Sequence, residues 1–169
     1  MTGLLLSTVL ITLGASNDYY TELGVGMSTA AQRCGLSDPP QCPPRPYGPA
    51  IHAAFGKRWD HLSTELHLSA ATLESRLAPV LSFRVPFEFG SGPVVYGLAL
   101  RGGLALYSER APRVWSESSV RVSDNIYGLV LADGFVGLRT GGVTLLLRPE
   151  LGLFAGVYGG LSILTRFEL

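Results

Sequence analysis

The stretch Leu-Ser-Phe-Arg-Val-Pro-Phe-Glu-Phe, residues 81–89, decides the fold. Its odd positions are all apolar, and its even positions hold a serine, an arginine, a proline and a glutamate. A β-strand sends alternate side chains to opposite faces. One face of this strand is therefore wholly apolar, while Arg84 and Glu88 share the other. Such a strand is typical of a barrel whose outer surface contacts lipid.

The composition agrees with a membrane-facing exterior. The chain has 169 residues, of which 47% are hydrophobic and only 15% charged, against about a quarter charged in ordinary soluble domains. The net charge of +0 gives no reason to expect nucleic-acid binding. Lys57 is the only lysine. A soluble barrel coats its exterior with charged residues, so this scarcity counts against a water-facing surface.

Residues 1–16 are predicted to be a secretory signal peptide. An apolar run from Gly3 to Leu13 has the length of a signal-peptide core, and the small residues Gly14, Ala15 and Ser16 follow it as a cleavage site requires. No lysine or arginine precedes the run. The run is too short for a transmembrane helix, and a short buried strand or helix is the alternative interpretation. The barrel domain would then be residues 17–169.

Eight strands of alternating polarity are predicted in that domain. They cover residues 19–30, 47–56, 61–71, 81–89, 94–107, 126–139, 143–154 and 157–169. Within the sixth, Asp133 and Gly134 could form a hairpin turn. We predict a bulge inside one long strand instead, because the two pieces would be too short to span and would make the strand count odd. The predicted fold class is all-β, an eight-stranded antiparallel up-and-down transmembrane β-barrel.

The predicted connections alternate in length. Long connections cover 31–46 and 108–125, a medium one covers 72–78, and short ones cover 57–60, 90–93 and 140–142. Long loops on one side and tight turns on the other are typical of outer-membrane barrels. Two aromatic belts are expected at the strand ends. Tyr19, Phe55, Trp59, Phe87, Phe89, Tyr96 and Phe167 would form the short-turn belt, and Tyr47, Tyr107, Tyr127, Phe154 and Tyr158 the long-loop belt.

The strand count, the loop alternation and the last strand resemble the small eight-stranded outer-membrane barrels of the OmpA/OmpX type. The closing segment Ile163–Leu169 alternates and ends in an apolar residue, although Phe167 stands two residues before the end where many members have a terminal phenylalanine. The resemblance implies residence in the bacterial outer membrane among its lipids. It also implies recognition of the C-terminal strand by the barrel-insertion machinery.

Charged side chains collect on the predicted inward faces. They are Glu22, Glu65, His67, Arg84, Glu88, Arg101, Arg148, Glu150, Arg166 and Glu168. An eight-stranded barrel is just wide enough for side chains to fill it. The favoured interpretation is an Arg/Glu ion-pair network that plugs the lumen, since an unpaired buried charge is costly. A narrow ion path or a proton relay is the alternative. No cofactor and no metal site are predicted.

A histidine stands two residues before a serine at His61/Ser63 and again at His67/Ser69. With Glu65 or Glu74 as the acid, such a set could act in a lipid A-modifying enzyme of the outer membrane. Because His67 and Ser69 are predicted to point inward, ordinary polar lumen residues are favoured and no enzyme is predicted. A soluble lipocalin-like carrier, with its apolar faces inward, is a further alternative.

The first long loop contains the two cysteines of the chain. Cys34 and Cys42 bracket a proline-rich segment, and two cysteines this close in an exported protein predict a disulfide. Free thiols are the alternative; a metal site is disfavoured because no histidine lies between or beside them. Loops 31–46 and 108–125 are the predicted surfaces for an extracellular ligand. The sequence thus favours a non-enzymatic protein with a structural or surface-binding role.

Overall fold

The computed structural model of the chain describes residues 18–31, 48–73, 76–90, 92–106, 121–123, 126–154 and 157–169. These residues form nine β-strands. The strands are β1 (Tyr19–Ala31), β2 (Gly48–Trp59), β3 (Leu62–Leu73), β4 (Arg76–Glu88), β5 (Val94–Leu106), β6 (Arg121–Ser123), β7 (Ile126–Thr140), β8 (Val143–Phe154) and β9 (Val157–Glu168). Eight of them have 12 to 15 residues, more than the 9 to 11 that a tilted strand needs to cross a bilayer.

The eight long strands close into an antiparallel barrel. Each pairs with its neighbour in sequence, β1 pairs with β9, and β5 pairs with β7 to complete the circle. This confirms the predicted eight-stranded up-and-down barrel. The ninth strand, β6, has three residues and pairs with the start of β7. It lies inside the predicted loop 108–125, so that loop contains a short strand the sequence reading missed.

Strand β7 runs without interruption through Asp133 and Gly134. Its register against β5 is constant from one end to the other, and its register against β8 is the same on both sides of these two residues. The single long strand was predicted correctly, but the bulge was wrong. No bulge is needed because Asp133 already falls on the inward row of an unbroken alternation and finds an ionic partner there.

The hairpin between β3 and β4 is longer than predicted. Strand β3 ends at Leu73 and β4 begins at Arg76, so most of the predicted connection 72–78 is strand, and β4 starts five residues before 81. The alternation continues there, with Leu77 and Pro79 outward and Ala78 and Val80 inward. The prediction failed because Ala78, Pro79 and Val80 are apolar on both faces and conceal the alternation.

The outward face of the wall is apolar. Val25, Leu98, Leu100 and Leu151 are each more than 60% exposed, whereas the charged inward residues are buried. A water-soluble protein does not expose such a continuous apolar surface. The arrangement is also the reverse of the one that a lipocalin-like carrier requires. Among the described residues, no helix has the length and apolarity to cross a membrane.

Aromatic side chains surround the short-turn rim as predicted. Tyr19 stacks on Phe55 with ring centroids 5.7 Å apart, and the rings of Phe89 and Tyr96 lie 6.2 Å apart. The long-loop belt was wrong in two members: Tyr127 and Tyr158 lie on inward rows and are buried inside the barrel. Three other predictions fall outside the described residues: the signal peptide 1–16, the Cys34–Cys42 disulfide and the belt members Tyr47 and Tyr107. The side chain of Phe154, a further belt member, is not described.

Candidate functional site in the barrel lumen

All ten charged residues predicted for the lumen lie on inward rows. Nine of them are buried, and the side chain of Glu168 is 17% exposed near the short-turn end. Strand register brings some partners directly opposite each other: Glu22 pairs with Arg166 across β1 and β9, and Glu65 with Arg84 across β3 and β4. The alternation that turns leucines outward therefore also brings these charges together inside the barrel.

The layer nearest the short turns joins four strands. Arg58 Nη2 donates to Glu168 Oε1 at 3.0 Å and lies 3.8 Å from Glu88 Oε2. Arg139 Nη2 donates to Glu88 Oε1 at 2.5 Å. These groups are partly exposed, with the arginine side chains 19% and 26% accessible. They form the rim through which water meets the charged interior.

One layer deeper, Arg166 connects the rim to the buried interior. Its Nη1 donates to Glu88 Oε2 at 2.8 Å and its Nε to Glu22 Oε1 at 2.9 Å. The guanidinium carbon lies 4.5 Å from the ring centroid of Tyr20, within the range of a cation–π contact. The Tyr20 hydroxyl in turn donates to Glu65 Oε1 at 2.7 Å. Each polar group here is thus held by at least one partner from another strand.

Arg84 makes the most complete set of contacts in the lumen. Its Nη1 donates to both carboxylate oxygens of Glu65, at 2.9 and 2.8 Å. Its Nε and Nη2 donate to the two oxygens of Asp133 on β7, two strands away, at 2.8 and 2.5 Å. The planar guanidinium suits such two-pronged pairing, and all three side chains are almost fully buried.

Arg148 occupies the next layer together with the two buried histidines. Its Nη1 donates to Glu22 Oε2 at 3.2 Å, and its Nε lies 3.0 Å from Glu150 Oε1. Its Nη2 lies 2.9 Å from His67 Nε2 and 3.5 Å from His52 Nδ1. Since a guanidinium can only donate, the nearer histidine nitrogen accepts.

Arg101 completes this layer from β5. It donates from Nε to Ser82 Oγ at 2.6 Å and from Nη2 to Ser69 Oγ at 2.9 Å, and its Nη1 lies 3.4 Å from Glu150 Oε1. Arg101 stands directly opposite Arg84 in the register of β4 and β5, and Asp133 stands opposite Glu150 in that of β7 and β8. Like charges on neighbouring strands repel. The contacts across the lumen, Arg84 to Asp133 and Arg101 to Glu150, compensate both pairs.

Aliphatic side chains and two tyrosines gather in the loop-side part of the described lumen. The cluster consists of Ala50, Ala71, Ala78, Val80, Ala105, Tyr127, Leu129, Leu131 and Tyr158. A cavity of about 10 Å³ lies between this cluster and Arg101. It holds one water molecule at most. Among the charged layers, Val95, Phe135, Leu146 and Leu164 form a second apolar cluster, and the Phe135 ring centroid lies 5.4 Å from the guanidinium carbon of Arg84. Side chains of these two clusters therefore fill part of the described lumen.

Three members of the network were missed in the sequence. Arg58 was assigned to the turn 57–60, Arg139 to the end of a strand, and Asp133 to a bulge. Adding this carboxylate and these two guanidiniums to the predicted five and four gives six of each among the described lumen residues. The charge imbalance in the predicted set, five carboxylates against four guanidiniums, could have prompted a search for further arginines, since a surplus carboxylate inside the barrel would lack a partner.

The histidine–serine sets do not assemble in the described residues. His67 faces Arg148, Ser69 accepts from Arg101, and Glu65 is engaged by Arg84, so these contacts do not link the three members to one another. His61 lies in an exposed turn, 3.8 Å from Asp60. Glu74 lies outside the described residues.

One histidine–serine contact does occur, at a pair the sequence reading did not consider. His52 Nε2 lies 2.9 Å from Ser162 Oγ, but the other nitrogen of His52 faces a guanidinium where a catalytic set would place a carboxylate. Both side chains are buried. The residues that the structure describes contain no cluster of three or more His, Cys, Asp or Glu side chains able to hold a metal.

The architecture matches a solved structure of known type. Neisserial surface protein A, an eight-stranded outer-membrane barrel, superposes with a TM-score of 0.63 over 92% of this chain and 99% of its own, at 15% sequence identity. The fold is that of a small outer-membrane barrel. At this identity the likeness concerns the fold alone. No protein-family model matches the sequence, and no curated protein matches it.

Proposed function

We propose that the protein is a non-enzymatic barrel of the bacterial outer membrane whose lumen is closed by its Arg/Glu network. In this role it maintains the membrane or presents loops 31–46 and 108–125 to an extracellular partner. The observation that carries the proposal is the separation of polarity across one wall: leucines outside, and six carboxylates with six guanidiniums inside among the described residues. Lipids would surround the wall, and the insertion machinery would recognise the C-terminal strand.

Two features support a structural role for the charges. Arg84 uses three of its nitrogens in contacts with carboxylates, which leaves little capacity to bind a ligand. The cavity of about 10 Å³ between the loop-side cluster and Arg101 holds one water molecule at most, too little for a hydrated ion. A conducting pore or a proton relay would need a continuous wet path, and a packed interior disfavours both.

Three measurements test this function. The folded protein should migrate faster on a detergent gel unboiled than boiled, and it should fractionate with the outer membrane. In planar bilayers it should give no single-channel current. Steady conductance through the wild type would refute the closed lumen, and recovery in the aqueous phase without detergent would refute membrane residence.

A further experiment separates membrane maintenance from loop presentation. Cells lacking the protein are complemented with the wild type or with a variant in which both long loops are replaced by short turns. If the wall itself supports the membrane, the short-loop variant restores resistance to detergent. If the loops are the functional surface, this variant inserts normally but does not restore the phenotype.

A further inference from the structure

One charged residue stands on the outward rows of the eight long strands, as far as the structure describes them. It is Lys57, the sole lysine of the chain, near the end of β2. Every other outward position described in these strands is apolar, small or an uncharged hydroxyl residue. Charges on a lipid-facing wall are tolerated only near the interface. Lys57 therefore lies where the apolar band meets the short-turn rim.

Aromatic rings hold this lysine in place. Its Nζ lies 5.2 Å from the ring centroid of Tyr19 and 5.5 Å from that of Trp59. Tyr19 is itself stacked on Phe55. Tyrosine and tryptophan rings prefer the headgroup level of a bilayer, and a lysine stem can follow such a surface while its ammonium reaches polar surroundings.

Lys57 makes no ion pair with the described part of the chain. No described carboxylate lies within 4 Å of its ammonium, and the nearby Glu168 is engaged by Arg58 on the inward side. The six carboxylates and six guanidiniums of the described interior balance one another, so Lys57 finds no ion-pair partner among them. An anion supplied by the membrane is the natural partner.

We propose that Lys57, Tyr19 and Trp59 form a binding site for the headgroup of an anionic phospholipid. The ammonium would contact the phosphate, and the two rings would lie against the glycerol and the first methylenes. The inference rests on the proposed residence in the membrane. A phospholipid fits better than a soluble phosphate because Trp59 is 48% exposed on the lipid-facing side, where a free anion would gain nothing from the ring.

Tryptophan fluorescence tests this site directly. The chain has two tryptophans, and Trp115→Phe leaves Trp59 as the sole reporter. This variant is refolded into vesicles that mix phosphatidylglycerol and phosphatidylcholine, with brominated chains on one lipid or the other. Quenching then gives the relative affinity of the two lipids at Trp59. We expect about a fivefold preference for phosphatidylglycerol, the ratio for one cationic residue at an anionic surface, and a reduced preference in high salt.

Matched variants distinguish a site from a general surface effect. Lys57→Gln in the same background should bring the ratio to about one, while Lys57→Arg keeps the preference. A second reporter, Tyr96→Trp with both native tryptophans changed to Phe, lies three strands away on the same rim and should show no preference.

Two results would overturn the site. One is a preference that survives Lys57→Gln; the other is an equal preference at the Tyr96 reporter. If Lys57→Gln fails to fold, Lys57→Arg decides the matter, because loss of the lipid preference in that variant would also overturn the site. Absence of quenching by both brominated lipids would instead refute membrane residence itself.

Discussion

Replacing Arg84 with methionine should severely destabilise the barrel. Arg84 makes four hydrogen bonds to two carboxylates, and its side chain is 1% exposed. At about 1.5 kcal/mol for each bond to a charged group, the gross loss is about 6 kcal/mol. The substitution also removes the desolvation cost of the guanidinium itself, so the net loss should be about 3–5 kcal/mol, as for other broken buried pairs.

The measurement is urea unfolding of the refolded protein in detergent micelles or vesicles, followed by tryptophan fluorescence and by the gel shift. A loss of about 4 kcal/mol is a large part of the 5–15 kcal/mol typical of a folded domain. Arg84→Lys is the first control. It retains the charge but cannot pair with both carboxylates at once, so it should fall between methionine and the wild type.

A charge-balanced double variant separates charge from packing. Arg84→Met with Asp133→Asn leaves five carboxylates and five guanidiniums among the described lumen residues, and Glu65 keeps the Tyr20 hydroxyl as a donor. The double variant should lose about 2 kcal/mol less unfolding free energy than the two single variants lose when their losses are added. Strict additivity, or an Arg84→Met protein as stable as the wild type, would refute the view that this network is held by mutual compensation.

Three further predictions concern the wall and the first long loop. Gly103→Ala should cost about 1–3 kcal/mol of unfolding free energy, because its Cβ would lie 2.4 Å from the Leu81 carbonyl oxygen, whereas the neighbouring Gly102→Ala, with open space around it, should be close to neutral in the same urea assay. Leu100→Arg, on an outward side chain that is 68% exposed, should cost about 2–4 kcal/mol of unfolding free energy in vesicles, with Leu100→Ala as the milder control. Cys34 and Cys42 should resist alkylation in the unfolded protein until a reductant is added; modification without reductant would contradict the disulfide.

The fold could be predicted because polarity alternates with a period of two over most of the chain. The segment 81–89 predicted its own inward and outward rows, and the adjacent strands follow from the same pattern. Prediction failed where that signal is weak. At 78–80 three successive apolar residues conceal the alternation, and at Asp133–Gly134 turn-forming residues conceal an inward carboxylate.

The partners inside the lumen could not be predicted from alternation alone. Strand polarity places Arg84 and Asp133 on inward rows, but they come from β4 and β7, two strands that are not neighbours. Their pairing depends on the diameter of the closed barrel and on the stagger of its strands, which a single strand does not encode. The inward orientation of Tyr127 and Tyr158 could not be predicted either, since an aromatic ring near a strand end fits either face.

The arrangement of like charges explains what the network contributes beyond stability. On neighbouring strands Arg84 faces Arg101 and Asp133 faces Glu150, and the two pairs compensate each other only when β5 pairs with β7. Glu22 and Arg166 meet only when β1 pairs with β9 and the barrel closes. A slip of one residue in any strand exchanges its two faces. In β8 such a slip would move Arg148 and Glu150 into lipid, where an arginine alone costs about 2–4 kcal/mol. The buried charges thus penalise both an open sheet and a wrong register, which an apolar filling of equal volume would tolerate.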